Sequence, residues 1–254
     1  MWFYKDDYTK PVFTSEEQVQ SEHGNKGILE LPKTAILLYM KGLDYIKEKY
    51  DVELITEHFP GFLNACPLYK IKGQNEICFL DGGRGAPMAV DTIEICKALG
   101  VQNIISVGSI GGFESDIEIG DIVIPDKAFV EEGTSLHYYE TIEYSTPNDD
   151  LFQRLVQFIP DCRVAPIIST DAVFRQTFYK ETLWRKKGCV GVDMETSALM
   201  SVGRYLGLNV ASVLMVSDKH PIHEDEVWQW RMTKELRQQM LFQVIDFALS
   251  LSYT

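Results

Sequence analysis

Glu195 and Asp218 are the residues that point first to chemistry. Both lie in one stretch, Val190–His220, reading VGVDMETSALMSVGRYLGLNVASVLMVSDKH. In open α/β sheets, ligands bind beyond the carboxyl ends of the strands. If each acid follows or ends a strand, the two carboxylates meet at one rim, where a pair of acids can serve proton transfer or steady a developing positive charge. A second candidate is the loop Asp81-Gly82-Gly83-Arg84-Gly85-Ala86-Pro87. A glycine loop leading into a helix can hold an anion through its N–H groups and the helix dipole, and the Arg84 guanidinium suits an oxyanion. Glycine at these positions serves a tight turn equally well.

These residues need elements to position them. In Val190–His220 the pattern predicts a short strand, a helix from about Glu195, and a buried strand over Ala211–Val216. Ala198, Leu199, Val202 and Leu206 fall at helical spacing, and Gly207 suits the helix end. Elsewhere, strands are expected at Thr34–Tyr39, Ile77–Leu80, Asn103–Val107 and Val164–Ser169, with a strand pair within Glu53–Lys72. Helices are expected from Gly42 to Tyr50 and over Met88–Leu99, Leu151–Phe158, Lys180–Lys187 and Val227–Ser250. Gly108-Ser109-Ile110-Gly111-Gly112 reads as a glycine turn after its strand, and Glu131–Tyr139, with His137, as a polar aromatic loop suited to line a pocket. Strands alternating with helices indicate one α/β domain over residues 34–254. Residues 1–33 are polar and mixed and read as an N-terminal arm.

Composition narrows the partners. With 24 basic and 37 acidic residues the net charge is −13, which argues against nucleic acid and anionic membranes, since both demand basic surfaces. Five scattered cysteines without a CxxC pair read as reduced thiols of a cytoplasmic protein. No apolar run has the length of a membrane span, and no HExxH or similar spacing makes a case for a metal.

Four stretches, GGRGAPMAVDTIEICKALG, IISVGSIGGFESDIEIGDIVIPDKAFVEEGTSLHYY, ISTDAVF and VGVDMETSALMSVGRYLGLNVASVLMVSDKH, resemble in this order the nucleoside phosphorylase-I family. That family includes purine nucleoside and uridine phosphorylases and methylthioadenosine nucleosidases. The resemblance runs over roughly Ile77–His220. It implies a single-domain three-layer α/β/α fold with a mixed central β-sheet, and a homo-oligomer (a dimer or a trimer of dimers). The implied enzyme cleaves a ribosyl C1′–N bond without metal or organic cofactor, phosphate being a co-substrate. Met194 and Glu195 are thereby assigned to the ribose. The Glu195 carboxylate would accept bonds from the 2′- and 3′-hydroxyls and stabilise an oxocarbenium-like transition state. Asp218 is assigned to N7 of a departing purine, a task that requires a pKa above the ordinary ~3.9. Val173 and Phe174 are assigned to the base wall, Gly108 and Ser109 to the acceptor, His137 to the pocket lining, and Arg231 to support of Asp218. His23 resembles a histidine lent to the 5′-hydroxyl by a neighbouring subunit; as an exposed arm residue it has a simpler explanation.

The chain departs from the phosphorolytic pattern at three cationic positions. Tyr39-Met40-Lys41-Gly42-Leu43 stands for a PGDPxR segment, Ser106 for an arginine, and Pro60 for an arginine given across a dimer. Binding phosphate without cations is costly, so Arg84 and Lys41 are the expected replacements. The reaction expected is phosphorolysis of a purine-type nucleoside to free base and ribose 1-phosphate. Hydrolysis is the alternative, with Asp44 as the nearest carboxylate to activate water. A uridine-type substrate is a further alternative, although Val173-Phe174-Arg175-Gln176-Thr177 lacks the Gln-x-Arg spacing of uridine phosphorylases. A non-catalytic binding relative would not need both acids.

Overall fold

The computed structural model describes residues 2–21 and 30–251; His23 lies outside them. The strands are β1 (Thr34–Leu38), β2 (Val52–Thr56), β3 (Leu68–Ile71), β4 (Ile77–Asp81), β5 (Asn103–Gly112), β6 (Ile122–Ile124), β7 (Ala128–Glu131), β8 (Tyr144–Ser145), β9 (Arg163–Val164), β10 (Ile167–Thr170), β11 (Gly191–Asp193), β12 (Asn209–Lys219) and β13 (Gln229–Trp230). The helices are α1 (Ser15–Gln20), α2 (Leu43–Lys49), α3 (Ala86–Ala98), α4 (Asp149–Phe158), α5 (Phe178–Lys186), α6 (Thr196–Tyr205) and α7 (Lys234–Ser250).

Alternation along the central strands creates the layers. In β1, Ala35 and Leu37 face one core, which α3 and α6 cover. Ile36 and Leu38 face the other, covered by α2, α4 and α7. In β12, Val210, Leu214 and Val216 take the first side, while Ala211, Val213 and Met215 take the second. A strand apolar on both faces belongs inside a sheet covered on both sides, so the fold is three-layered α/β/α. The sheet is mixed: β1 runs parallel to β4 and β5, and β12 parallel to β5, whereas β11 runs antiparallel to β5.

Four sequence expectations change. The glycine-rich segment 108–112 is strand rather than turn, because β12 pairs with β5 along its whole length. The expected strand Val164–Ser169 is broken at Ala165-Pro166: β9 pairs with β6, and β10 pairs with β7 and β11. Proline lacks the donor needed for a continuous ladder. The last helix begins not at Val227 but at Lys234, where the Thr233 hydroxyl accepts a bond from the Leu236 N–H. The arm joins the core through Val19 and Leu31. Gly207 ends α6 as expected, with φ +71 and the Leu208 N–H donating to Gly203 O at 2.8 Å, the pattern of a Schellman cap. No helix among the described residues is long and apolar enough to cross a membrane.

Candidate active site

The last residue of β1, Leu38, pairs with Val107 of β5, and Val107 pairs with Val213 of β12. Beyond that level β5 and β12 run on past the end of β1, flanked by β11 on one side and by β6 and β13 on the other. The shelf they form, with the turns after β1, β4 and β11, bounds a cavity of about 510 Å³. Glu195 and Asp218 both line it, together with Arg84, Ser109, Val173 and Met194.

Glu195 precedes the first turn of α6, yet its side chain does not cap that helix. Asp193 does so instead, accepting from the Thr196 N–H at 3.1 Å and from the hydroxyls of Thr196 and Ser169. The Glu195 carboxylate reaches across the sheet and accepts the Gly85 N–H at 2.6 Å. Gly85 is the residue immediately before α3 and has φ +81. Three of the glycine loop's N–H donors are therefore taken within the protein, the Gly83 N–H going to Asp81 Oδ1 and the Gly82 N–H to Leu38 O, each at 2.9 Å. Burial and the neighbouring Asp193 carboxylate push Glu195 up to about 7, against the opposing pull of the Gly85 bond and Arg84.

Asp218 sits at an irregularity in β12. Val216 pairs with Ile110, but the next pair is Asp218 with Gly111, so Ser217 is the extra residue of a β-bulge. Its carboxylate accepts from the Ser217 hydroxyl and from the Trp228 indole N–H at 2.7 Å, and it pairs with His220 Nε2 at 3.3 Å. Burial raises its pKa, but the bonds from His220, Ser217 and Trp228 and the charge of His220 together outweigh burial, and the net shift is downward. The expectation of a raised pKa is thus corrected: Asp218 is held as a carboxylate. Desolvation by the apolar strand is real, but the donors around the bulge win.

His220 also lines the cavity. Its Nδ1 lies 2.7 Å from Glu181 Oε1 of α5, and its backbone N–H donates to Gly112 O at 2.8 Å. With a carboxylate on each ring nitrogen, the imidazole is held protonated, its pKa pushed up to about 9 despite burial. Gly111 makes room for it, since a Cβ there would overlap His220 Nε2.

Three cations, Lys41, Arg84 and Arg237, line the same cavity. None of them is within ion-pair distance of a carboxylate among the described residues. Arg237 donates through Nη2 to Met232 O at 2.9 Å, and its buried Nε has no partner among the described residues. The Tyr39 hydroxyl, also on the cavity wall, is likewise buried and unpartnered, and burial beside Glu195 raises its pKa well above the phenol value, so it remains a donor.

Other expected site residues fall elsewhere. Phe174 is 98% exposed and lies outside the cavity, while its neighbours Val173 and Gln176 line it. The short 3-10 turn Val173–Arg175 carries the aromatic ring outward. His137 stacks on Trp2 and borders a separate cavity of about 770 Å³ beside α1 and α3. Gly108 packs beneath the wall against Tyr39 and Leu214, one residue short of the lining. Arg231 is exposed just after β13 and does not line the cavity, although its neighbour Trp230 pairs with Asp218 and its own N–H donates to Ser217 O at 3.5 Å; no side-chain bond joins it to Asp218 among the described residues. Asp44, the water-activating alternative, is exposed on α2 and outside the cavity. Ser106, at a position where an arginine was expected, is closed off by a 2.6 Å bond with Ser212.

Residues 43–246 match the model of the phosphorylase superfamily. The chain belongs to that superfamily. Among relatives, a guanosine phosphorylase of Halorubrum lacusprofundi is 30% identical over 53% of this chain and 57% of its own length. A DeoD-type purine nucleoside phosphorylase of an Exiguobacterium species is 28% identical over 81% of this chain and 86% of its own. Among solved structures, AMP nucleosidase from Bacteroides thetaiotaomicron superposes with a TM-score of 0.68 at 21% identity, over 86% of this chain and 87% of that one. Uridine phosphorylase from Vibrio fischeri superposes with a TM-score of 0.66 at 23% identity, over 86% and 89%. These structural likenesses speak to the fold, which a uridine phosphorylase and an AMP nucleosidase share with this chain. Within this superfamily member, sequence reasoning missed Asp193, His220, Glu181, Tyr39 and Arg237. An acid ending the strand at Asp193 and the Asp-x-His spacing of Asp218 and His220 were the legible signals; Glu181 and Arg237 gave none.

Proposed function

We propose that the protein cleaves the N-ribosidic bond of a purine-type nucleoside with phosphate, giving the free base and ribose 1-phosphate. The observation that carries this reading is the convergence of Lys41, Arg84 and Arg237, all without carboxylate partners among the described residues, on the cavity of Glu195 and Asp218. In a chain of net charge −13, three cations left free at one concavity suit an anionic co-substrate. The Arg237 and Tyr39 side chains on the cavity wall each also keep a buried donor without a partner among the described residues. The names of the guanosine and purine nucleoside phosphorylases among its relatives support the same substrate class.

In this reading the C1′–N bond breaks with its electron pair leaving on the base, and a phosphate oxygen forms the new bond to C1′. Glu195, beside Met194, accepts the ribose hydroxyls and faces the positive charge that develops on the sugar. Asp218 faces the base. No metal or organic cofactor enters. Hydrolysis is the second reading, favoured by the serine pair Ser106–Ser212 standing where an arginine was expected. Incubation of inosine, guanosine, adenosine and uridine with and without inorganic phosphate separates them. Ribose 1-phosphate formed only with phosphate supports phosphorolysis, and free ribose formed equally in both supports hydrolysis. Binding without any product reduces the protein to a binding relative.

A further inference from the structure

Asp218 presents a problem for a departing purine. The base leaves with an extra electron pair and must gain a proton, yet Asp218 is surrounded by donors that hold it ionised. The proton has to come from a neighbour, and the only titratable donor touching Asp218 among the described residues is His220.

The ring is fixed from every side. On α5, Glu181 is only 5% exposed and meets Nδ1 at 2.7 Å; behind it Arg185 approaches the other carboxylate oxygen at 3.7 Å and donates to Phe113 O at 3.0 Å. From β12, Asp218 meets Nε2 at 3.3 Å. Phe113 closes one side, its ring centre 6.4 Å from that of the imidazole. From β5, the missing side chain of Gly111 admits Nε2. The exposed Arg231, by contrast, makes no side-chain contact with His220 or Asp218 among the described residues.

We propose that Glu181, His220 and Asp218 form a proton relay in which His220 is a positioning residue acting through Asp218. This inference rests on the nucleoside-cleaving reading above. As the C1′–N bond breaks, N7 takes a proton through the Asp218 carboxyl. Asp218 is made good by the proton on His220 Nε2, and the imidazole ends neutral, still donating Nδ1–H to Glu181. Glu181 serves only as the acceptor of Nδ1–H, and solvent reprotonates the ring after the base departs. The balance is one proton from imidazolium to base, with no other co-reactant.

An N7-methylated nucleoside tests the relay, because its base already carries the positive charge and leaves without needing a proton. Wild type, His220→Gln and Glu181→Gln are compared on guanosine and on 7-methylguanosine, with phosphate. We expect kcat on guanosine to fall about 10²-fold or more in His220→Gln, in line with general acid catalysis, and by a smaller factor in Glu181→Gln. On 7-methylguanosine both variants should stay within a few-fold of wild type, which also certifies that they fold. Equal loss on both substrates gives His220 a structural role only, and unchanged rates on both remove it from the mechanism; either result overturns the relay. Should His220→Gln fail to fold, Glu181→Gln decides alone by the same ratio. A wild-type protein inactive on both nucleosides sinks the reaction and the relay together, whereas an active wild type with an unselective loss sinks the relay alone.

Discussion

Replacing Glu195 by glutamine should make the protein more stable and less active, with the gain in stability depending on pH in a way the structure dictates. Glu195 is 8% exposed, and burial beside Asp193 lifts it from 4.5 to about 7. A carboxyl that holds its proton more tightly when folded makes the native state the better proton binder between those two values. Wild-type stability therefore falls as pH rises through that window and levels off above it. At about 1.4 kcal/mol per pH decade, the ionised carboxylate costs the native state about 3 kcal/mol at neutral pH and above, and well under 1 kcal/mol near the lower end of the window. Glutamine carries no charge, keeps an oxygen for the Gly85 N–H, and matches the volume. Urea denaturation of both proteins across about pH 5 to pH 8 should show the Glu195→Gln advantage widening by about 2 kcal/mol with rising pH. A constant gap across that range would refute the reasoning, because it would mean that Glu195 ionises in the fold as it does in the unfolded chain. Turnover of a nucleoside should fall about 10²–10³-fold in the same variant, the scale for losing one oriented electrostatic group.

Other expectations follow from the same geometry. Asp218→Asn should lower purine nucleoside turnover about 10²-fold or more while the protein still folds, judged by circular dichroism; unchanged kinetics would remove Asp218 from the chemistry. Gly111→Ala should push His220 off Asp218, weakening a charge-assisted bond of the kind worth about 1.5–3 kcal/mol. An NMR titration reads this as a His220 pKa falling from about 9 toward the ordinary imidazole value, and a titration identical to wild type would contradict the overlap. Arg237→Met and Lys41→Met should each raise the KM for phosphate with smaller effects on the KM for nucleoside; the opposite pattern would assign these cations to the nucleoside instead. The exposed aromatics Phe13, Phe62 and Tyr205 around the second cavity lead us to expect an oligomer by light scattering, and a monomeric mass across micromolar concentrations would refute that.

Glu195 and Asp218 were legible because each belongs to a pattern that reaches the sequence: a helix start, an apolar strand, and a rim where both end. The layers were legible for the same reason, since strands apolar on both faces, such as Thr34–Leu38, have only one place to go. What stayed hidden depends on contacts across the sheet. Glu195 looks like the cap of its own helix, but the acid two residues earlier takes that role, and Glu195 instead accepts the N–H of Gly85, 110 positions away and just before α3. Arg231 follows the short strand β13, whose Trp230 pairs with Asp218, so the backbone comes alongside while the arginine side chain stays exposed. His220 takes the place beside Asp218 instead, brought there by a bulge at Ser217 and by a glycine on the neighbouring strand. Neither feature has a signature in one strand read alone, because a bulge is a mismatch between two partners and a glycine's use is set by what approaches it. The acids of the site could be read from the chain, but their protonation could not: burial beside Asp193 decides it for Glu195, and donors gathered from Ser217, His220 and the loop bearing Trp228 decide it for Asp218.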